Sequence, residues 1–323
     1  MKSPQTALVF FVGKKDGKKQ IVQDYKYLNE WTIKNNYPLL LISDVLENIG
    51  TKKLFTKIDL RWEYNNMRIK EGDEWKAAFT TLEGFFEPTV MFFRLTNSPA
   101  TFQAMMNELL RDLINTGKVA VFIDNVIVGT ETEEGYNELM TEIIKRLEEN
   151  DLYVKLEKCK WKVREVGFLR VVIGPEGIKI EKEKVKGVLE WLTPKCVKDM
   201  QKFLGLANYY CQFIEGFASV VRPLHDMVKK DKKWNWTERQ EKVFKELKKQ
   251  FIKEPVLAAP DIDKKIRMEV DALDYATERV LSIECEDGLW RPVAFLSKSL
   301  NETERNYKIY NKGMLVIVRG LEA

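Results

Sequence analysis

One stretch decides the fold of this chain: Val119-Ala120-Val121-Phe122-Ile123-Asp124-Asn125-Val126-Ile127-Val128. Two apolar runs stand on either side of the polar pair Asp124-Asn125, and this pair is of a type found in tight turns. The pattern predicts a buried β-hairpin that carries two polar side chains at its tip.

A second aspartate extends the pattern. Residues 54–60 alternate as a strand, and Asp59 stands near its end. If this strand lies beside the hairpin, the carboxylates of Asp59 and Asp124 could converge on a hard divalent cation such as Mg²⁺. Two such ions would serve phosphoryl transfer. Aspartates at strand ends are more often turn residues, so spacing alone leaves both interpretations open.

The remaining segments mix strands and helices without a regular β-α-β alternation. An Asp16-Gly17 turn predicts a hairpin, and Pro99 opens an amphipathic helix. The other patterns predict a strand followed by a turn, a long helical region, a connector and a final group of three strands. The predicted segments are strands 7–12 and 20–25, helices 99–113 and 134–150, strand 168–173 with turn 175–177, helical region 181–251, connector 252–263, and strands 266–271, 279–285 and 290–297.

Composition narrows the class of protein. With 323 residues, 45% of them hydrophobic and 32% charged, the chain suits two or three globular units. The net charge of +4 identifies no partner by itself. Four cysteines without a CxxC pair and a single histidine argue against a zinc site. No signal peptide or membrane-length apolar run is evident, so an intracellular location, cytoplasmic or nuclear, is expected.

Several ordered motifs resemble the polymerase of gypsy-type long-terminal-repeat retrotransposons. They occur along nearly the whole chain and in the order expected for that family. The motifs are Lys14-Lys15-Asp16-Gly17, Asp24-Tyr25-Lys26-Tyr27-Leu28-Asn29, Phe55-Thr56-Lys57-Ile58-Asp59-Leu60, Leu95-Thr96-Asn97-Ser98-Pro99-Ala100-Thr101-Phe102-Gln103, Phe122-Ile123-Asp124-Asn125, Phe203-Leu204-Gly205-Leu206, and Val270-Asp271-Ala272.

The resemblance implies an α+β fold: a right-hand polymerase with fingers, palm and thumb, followed by a partial ribonuclease H-like α/β domain. The expected boundaries are 1–177 for fingers and palm, 178–252 for a helical thumb and connection, and 253–323 for the partial ribonuclease H-like domain. The implied activity is RNA-directed DNA polymerisation with Mg²⁺ or Mn²⁺ as cofactor. The implied partners are an RNA template, a DNA primer and deoxynucleoside triphosphates, in virus-like particles for an intact element. No membrane partner is implied, and the oligomeric state is left open.

The resemblance also assigns residues. Asp59, Asp124 and the carbonyl of Leu60 would be metal ligands, and Tyr64 would be the steric gate that excludes a ribose 2′-hydroxyl. Gln103 would fall in the helix that supports the primer-template and nucleotide, and Lys14 or Lys15 would reach the incoming triphosphate. Two simpler interpretations stay open: Tyr64 as a packed aromatic, and Gln103 as a solvated helix residue.

Some positions depart from the family pattern. Asn125 replaces the second hairpin aspartate, Arg94 replaces a glycine beside the nucleotide pocket, and Gln20 replaces a triphosphate-binding arginine. Arg170 replaces a turn glycine, and Cys211 replaces an arginine. In the last unit Asp271 is kept, but Gly313 stands in place of a catalytic glutamate, so ribonuclease H activity is not expected.

These departures predict an impaired or inactive polymerase. Gly-to-Arg, Asp-to-Asn and Arg-to-Cys changes can each arise from one C-to-T or G-to-A transition, the pattern of a decaying copy; Gly313 does not fit that direction. One alternative is a catalytically dead nucleic-acid-binding remnant, which needs a positive groove but no metal geometry. Another is a pseudogene product that folds poorly because arginines are forced into positive φ or packed sites.

Overall fold

The computed structural model describes residues 3–13, 17, 19–38, 45, 49–230, 232–253 and 256–321. The chain divides into two compact units, Met1–Arg164 and Glu165–Ala323. Both mix helices and strands, so the predicted fold class is confirmed. The three finer boundaries drawn from the resemblance remain predictions.

The described residues of the first unit form eight strands. They are β1 (Ala7–Gly13), β2 (Lys19–Gln23), β3 (Leu54–Asp59), β4 (Phe79–Thr81), β5 (Gly84–Phe86), β6 (Val119–Phe122), β7 (Asn125–Thr130) and β8 (Lys160–Val163). Its helices are α1 (Lys26–Trp31), α2 (Ser98–Leu109), α3 (Arg111–Asn115) and α4 (Glu133–Glu149). Short 3₁₀ turns cover Glu63–Asn66, Glu74–Ala77 and Leu156–Lys158.

The strands of this unit form two sheets. One has the order β2-β1-β4-β5, in which β1 and β4 are parallel and the other pairs antiparallel. It includes the predicted hairpin of residues 7–12 and 20–25, although Lys14, Lys15 and Asp16 lie outside the described residues. The second sheet has the order β6-β7-β3-β8 and is antiparallel throughout.

Helices α2 and α4 cover the second sheet. Phe102 and Met106 of α2 and Ile143 of α4 are fully buried in one apolar cluster with Val126 and Ile58 of the sheet. Pro99 stands in the first turn of α2, where a missing N–H is tolerated. The single helix predicted over 99–113 is wrong in one respect: it breaks at Leu110, and α3 begins at Arg111.

The decisive hairpin is confirmed with a shifted turn. Phe122 pairs with Asn125, so the turn consists of Ile123 and Asp124, and Asn125 is the first residue of β7. Ile123 has φ 55°, a left-handed conformation that strains a β-branched residue. The Asp124-Asn125 turn expected from residue type is therefore wrong by one position.

The second unit begins with a small antiparallel sheet, β11-β10-β9, formed by β9 (Val166–Phe168), β10 (Val171–Gly174) and β11 (Gly177–Ile180). The single strand predicted over 168–173 is split, because Leu169 and Arg170 form a tight turn with φ 47° and 67°. Gly177, in the turn predicted over 175–177, has φ 123°, and a Cβ there would lie 2.2 Å from the Leu257 carbonyl oxygen, so only glycine fits.

The rest of the second unit is helical and then returns to a sheet. The helices are α5 (Lys182–Leu189), α6 (Val197–Tyr209), α7 (Phe217–His225) and α8 (Glu238–Ile252), as the helical region 181–251 predicts. Strands β12 (Ile266–Ala272), β13 (Ala276–Glu284) and β14 (Trp290–Ser299) form an antiparallel sheet in the order β12-β13-β14. Helices α9 (Glu302–Arg305) and α10 (Ile309–Leu321) follow. No described helix is long and apolar enough to cross a membrane.

Candidate active site

The two aspartates singled out from the sequence lie at the same edge of the second sheet. Asp59, the last residue of β3, pairs in register with Asn125 of β7. The next amide, that of Leu60, donates to the Asp124 carbonyl oxygen at 2.9 Å. The backbone of β3 therefore holds the hairpin tip beside Asp59, which is the neighbourhood that a shared cation would require.

Asp59 is almost fully enclosed, with 8% of its surface exposed. Its Oδ1 lies 2.8 Å from Nζ of Lys155, and within the described residues no hydrogen bond of good geometry satisfies this oxygen. The backbone of Lys155 also donates to the Asp59 carbonyl oxygen at 2.8 Å. Lys155, which the sequence did not single out, therefore places a positive charge against this carboxylate.

Asn125 contacts the other aspartate directly. Its Nδ2 donates to Oδ1 of Asp124 at 2.7 Å. An aspartate at this position could not donate, and its charge would repel the Asp124 carboxylate. The asparagine thus removes a negative charge and occupies one oxygen of its neighbour.

Glu63 is a third carboxyl group at the site, and sequence reasoning missed it. Burial raises the pKa of Glu63 to about 8, with further contributions from a hydrogen bond to Asp124 and from the Asp124 charge. Trp62 and Glu63 have φ 56° and 25°, which turns the chain toward the site after β3. Among the described residues no group of three or more His, Cys, Asp or Glu side chains has an arrangement that could hold a metal ion. The only sequence signal for Glu63 was its place four residues after Asp59.

Tyr64 is a packed aromatic beside this cluster. It is 7% exposed and makes edge-to-face contacts with Phe93 and Phe102, at ring-centroid distances of 5.1 and 6.2 Å. Burial and the negative charges of Glu63 and Asp124 raise the pKa of its hydroxyl to about 12. The interpretation of Tyr64 as a packed aromatic agrees with these contacts, and its role as a steric gate remains a prediction.

Gln103 is not a solvated helix residue, so that interpretation is wrong, while a place in the support of primer-template and nucleotide stays a prediction. It is fully buried under the hairpin. Its Nε2 donates to the Val121 carbonyl oxygen at 2.9 Å, and its Oε1 accepts from the Ile123 amide at 2.7 Å. Its place on the inner face of α2 turns this polar side chain toward the β6–β7 backbone.

Comparison with known sequences identifies the family. The sequence profile described as "Reverse transcriptase (RNA-dependent DNA polymerase)" matches residues 12–207. The chain belongs to the reverse transcriptase family. A second profile, described as "RNase H-like domain found in reverse transcriptase", matches residues 236–323. The reverse transcriptase region is thus followed by a ribonuclease H-like region, as the motifs indicated.

The relatives are retrotransposon polyproteins. The Transposon Tf2-7 polyprotein of Schizosaccharomyces pombe is 34% identical over 314 residues, which are 97% of this chain and 24% of the polyprotein. The Transposon Tf2-3 polyprotein of the same organism is 33% identical over the same length. The predicted resemblance to gypsy-type elements is confirmed. This chain spans about a quarter of the length of these relatives.

Solved structures share the fold. The foamy viral protease-reverse transcriptase in complex with an RNA/DNA hybrid matches with a TM-score of 0.87 and 22% identity, over 99% of this chain and 43% of that chain. The same viral protein in complex with dsDNA matches with a TM-score of 0.89 and 23% identity, over 99% and 67%. At this identity the likeness establishes the fold of the reverse transcriptase region and nothing finer.

Two of the remaining candidate residues of the first unit, Arg94 and Gln20, are described, and they lie beside or on its first sheet. Arg94 is exposed, has φ 71°, and stacks its guanidinium 5.0 Å from the centre of the Phe10 ring. Gln20 is a half-buried residue of β2, paired with Val12 of β1. Lys14 and Lys15 lie outside the described residues. The triphosphate contact assigned to Lys14 or Lys15, and the damage to the nucleotide site assigned to Gln20 and Arg94, therefore remain predictions.

In the second unit, Asp271 lies on β12 opposite Glu278 of β13. Together with Glu215 and Glu269 these residues line a cavity of about 310 Å³. Gly313 lies on α10, and a Cβ added there would meet open space, so nothing in the packing requires a glycine. The absence of ribonuclease H activity remains a prediction from sequence.

Proposed function

We propose that this chain is the reverse transcriptase region of a long-terminal-repeat retrotransposon polyprotein, and that its reaction is RNA-directed DNA synthesis at Asp59 and Asp124. The observation that carries the proposal is the backbone bond from Leu60 to Asp124, which sets the two aspartates side by side in a chain of this family. On this proposal the fingers and palm span residues 1–177, the thumb and connection 178–252, and the partial ribonuclease H-like domain 253–323.

The donor set fits one divalent cation better than two. Asp59 presents a buried oxygen that only the Lys155 ammonium approaches among the described residues, so a positive charge is already accommodated there. Asp59, Asp124 and the Leu60 carbonyl would hold Mg²⁺ or Mn²⁺. When bound, the ion would neutralise phosphate charge and favour ionisation of the attacking hydroxyl. Asn125 leaves the site one carboxylate short for a second ion.

The residues of the site favour impaired catalysis in this copy. The Asn125 amide occupies Asp124 Oδ1, and the Lys155 ammonium competes with a metal for Asp59 Oδ1. Phosphoryl transfer depends almost wholly on positioning and charge stabilisation, so both contacts oppose it directly. We infer that turnover is slow or absent while the fold persists.

The partners proposed are an RNA template, a DNA primer and deoxynucleoside triphosphates. Support comes from the foamy viral protein of the same fold, whose structures are complexes with an RNA/DNA hybrid and with dsDNA. We place the protein in the cytoplasm or nucleus, or in virus-like particles for an intact element. A second candidate function, a nucleic-acid-binding remnant without turnover, is favoured by the Asn125–Asp124 hydrogen bond.

Primer extension on poly-rA with oligo-dT, dTTP and Mg²⁺ or Mn²⁺ tests these proposals. The unchanged chain is compared with Asp124→Ala and with a repaired chain carrying Asn125→Asp, Arg94→Gly and Gln20→Arg. Asp112→Ala is the matched control, because it removes an exposed aspartate of the same unit. We expect weak or no extension by the unchanged chain and clear extension by the repaired one.

The outcomes separate the two candidate functions. Polymerase activity is supported if primer extension is lost in Asp124→Ala and retained in Asp112→Ala. A repaired chain that stays inactive, while both chains retard the same primer-template in a native gel, supports the binding remnant. A repaired chain that neither extends nor binds the primer-template contradicts both.

A further inference from the structure

The hairpin tip is held in a conformation that its own residues do not favour. Ile123, immediately before Asp124, has φ 55°, and a β-branched side chain is unfavourable there. Strained backbone of this kind persists only where surrounding contacts determine it. Some neighbouring group must therefore hold the turn that presents Asp124.

Gln103 supplies those contacts. Its amide spans Phe122: Nε2 donates to the carbonyl of Val121 at 2.9 Å, and Oε1 accepts from the amide of Ile123 at 2.7 Å. The donor and the acceptor both end on main chain, one residue to either side of Phe122. The side chain thus fixes the last peptide units before Asp124.

A second amide determines which way the Gln103 amide faces. The other Nε2 hydrogen is donated to Oδ1 of Asn107, one turn further along α2, at 2.8 Å. Asn107 in turn donates through Nδ2 to the Tyr37 hydroxyl at 2.9 Å. With both hydrogens of Nε2 engaged, Oε1 is left for Ile123, so every polar atom of this fully buried side chain has a partner.

We propose that Gln103, oriented by Asn107, is a positioning residue that holds the Ile123–Asp124 turn so that the Asp124 carboxylate faces Asp59. The inference rests on the proposed function, because it concerns how that metal site is kept in place. Gln103 acts through the hairpin backbone and touches neither metal nor substrate. Partners that orient ligands in this way are commonly needed for metal affinity.

The test uses Gln103→Met, which keeps the length of the side chain and removes both main-chain bonds. The matched control is Thr56→Val. Thr56 is fully buried in β3, and its loss removes bonds to the Tyr136 hydroxyl at 2.8 Å and from the Lys162 amide at 3.1 Å, away from the hairpin tip. Both variants lose buried hydrogen bonds, but only one loses the contacts to the turn.

Two measurements on the full chain distinguish positioning from general stability. Hydrogen exchange of the Ile123 amide should accelerate about tenfold in Gln103→Met relative to Thr56→Val, because its acceptor is gone. Mn²⁺ affinity, measured by electron paramagnetic resonance with the metal alone, should fall about tenfold or more in Gln103→Met and stay unchanged in Thr56→Val.

Asp124→Ala separates failure of this inference from failure of the proposed function. If Asp124→Ala loses Mn²⁺ binding while Gln103→Met behaves like Thr56→Val in both measurements, the positioning role is overturned and the metal site stands. If Asp124→Ala binds Mn²⁺ as the unchanged chain does, the metal site itself is overturned, and the positioning role with it. Should Gln103→Met fail to fold, Asn107→Leu carries the test, and unchanged exchange at Ile123 in that variant overturns the proposal.

Discussion

Replacing Asn125 by aspartate should make the stability of the first unit, Met1–Arg164, depend on divalent metal. In the unchanged chain Asn125 Nδ2 donates to Asp124 Oδ1 at 2.7 Å, so the hairpin tip is satisfied without any cation. Asn125→Asp converts this hydrogen bond into a contact between two carboxylates, with Glu63 beside them. The variant should be less stable than the unchanged chain in chelator and should recover when Mg²⁺ or Mn²⁺ is added.

The magnitude follows from the two changes. A hydrogen bond to a charged group contributes about 1.5–3 kcal/mol. Repulsion between carboxylates about 4 Å apart adds roughly 1 kcal/mol in a water-like surrounding and more where water is excluded. Because Asp124 and Asn125 are only half buried, we expect a net loss of roughly 2 kcal/mol in chelator, or about 4–8 °C in melting temperature for a unit of this size. Metal at about ten times its Kd should restore about 1.4 kcal/mol.

Thermal unfolding followed by circular dichroism, with and without metal, checks the prediction. Asn137→Asp is the matched control, since it adds the same charge at an exposed position of α4. Its melting temperature should not respond to metal. The reasoning is refuted if Asn125→Asp is as stable as the unchanged chain in chelator, or if metal shifts both chains equally.

Three further outcomes are expected. Arg279 is 7% exposed, its Nε and Nη1 have no partner among the described residues, and the charge of Arg319 repels it. In urea unfolding, Arg279→Met should therefore raise the free energy of unfolding by about 2 kcal/mol. The control Arg239→Met, at an exposed position, should change it by less than about 0.5 kcal/mol. The pKa of Glu63 is about 8 in the folded chain, against an ordinary value of 4.5. Between pH 4.5 and pH 8 Glu63 is therefore protonated in the folded chain and ionised in the unfolded chain. Metal-free stability should therefore fall as pH rises through this range, and Glu63→Gln should flatten the fall. Arg94 has φ 71°, a conformation that glycine adopts without strain and alanine does not. Thermal unfolding should therefore show Arg94→Gly to be more stable than Arg94→Ala by about 1 kcal/mol, and the reverse order would contradict backbone strain at this position.

Much of the first unit could be predicted from local patterns. The apolar runs on either side of Asp124 and the strand ending at Asp59 have strong local signals, and their juxtaposition follows from pairing of β3 with β7. The turn was misplaced by one residue because residue type favours Asp124-Asn125. The actual turn is set by Gln103, a buried side chain from another element. A tertiary contact of this kind has no local signature.

The site holds two groups that no motif indicated. Glu63 enters it because the backbone turns through positive φ after β3, and Lys155 enters because the chain returns beside Leu60 after α4. Both are charged residues that a sequence interpretation assigns to the surface. Their effect on the aspartates depends on distances that only the fold defines.

The departures from the family pattern affect the stability of the two units differently. Arg94 and Arg170 both have positive φ, as expected where arginine replaces glycine in a turn, and each is unfavourable by about 1–2 kcal/mol. Both guanidiniums stack on an aromatic ring, Phe10 and Tyr209, which offsets part of that strain. Arg279 is not one of these departures, but its buried Nε and Nη1 have no partner among the described residues, and it lies with Arg170 in the second unit. The first unit keeps an apolar core under its hairpin, and its main damage, Asn125, is a loss of charge and not of packing. If this is a decaying copy, its first unit should therefore outlast its second unit as a folded protein.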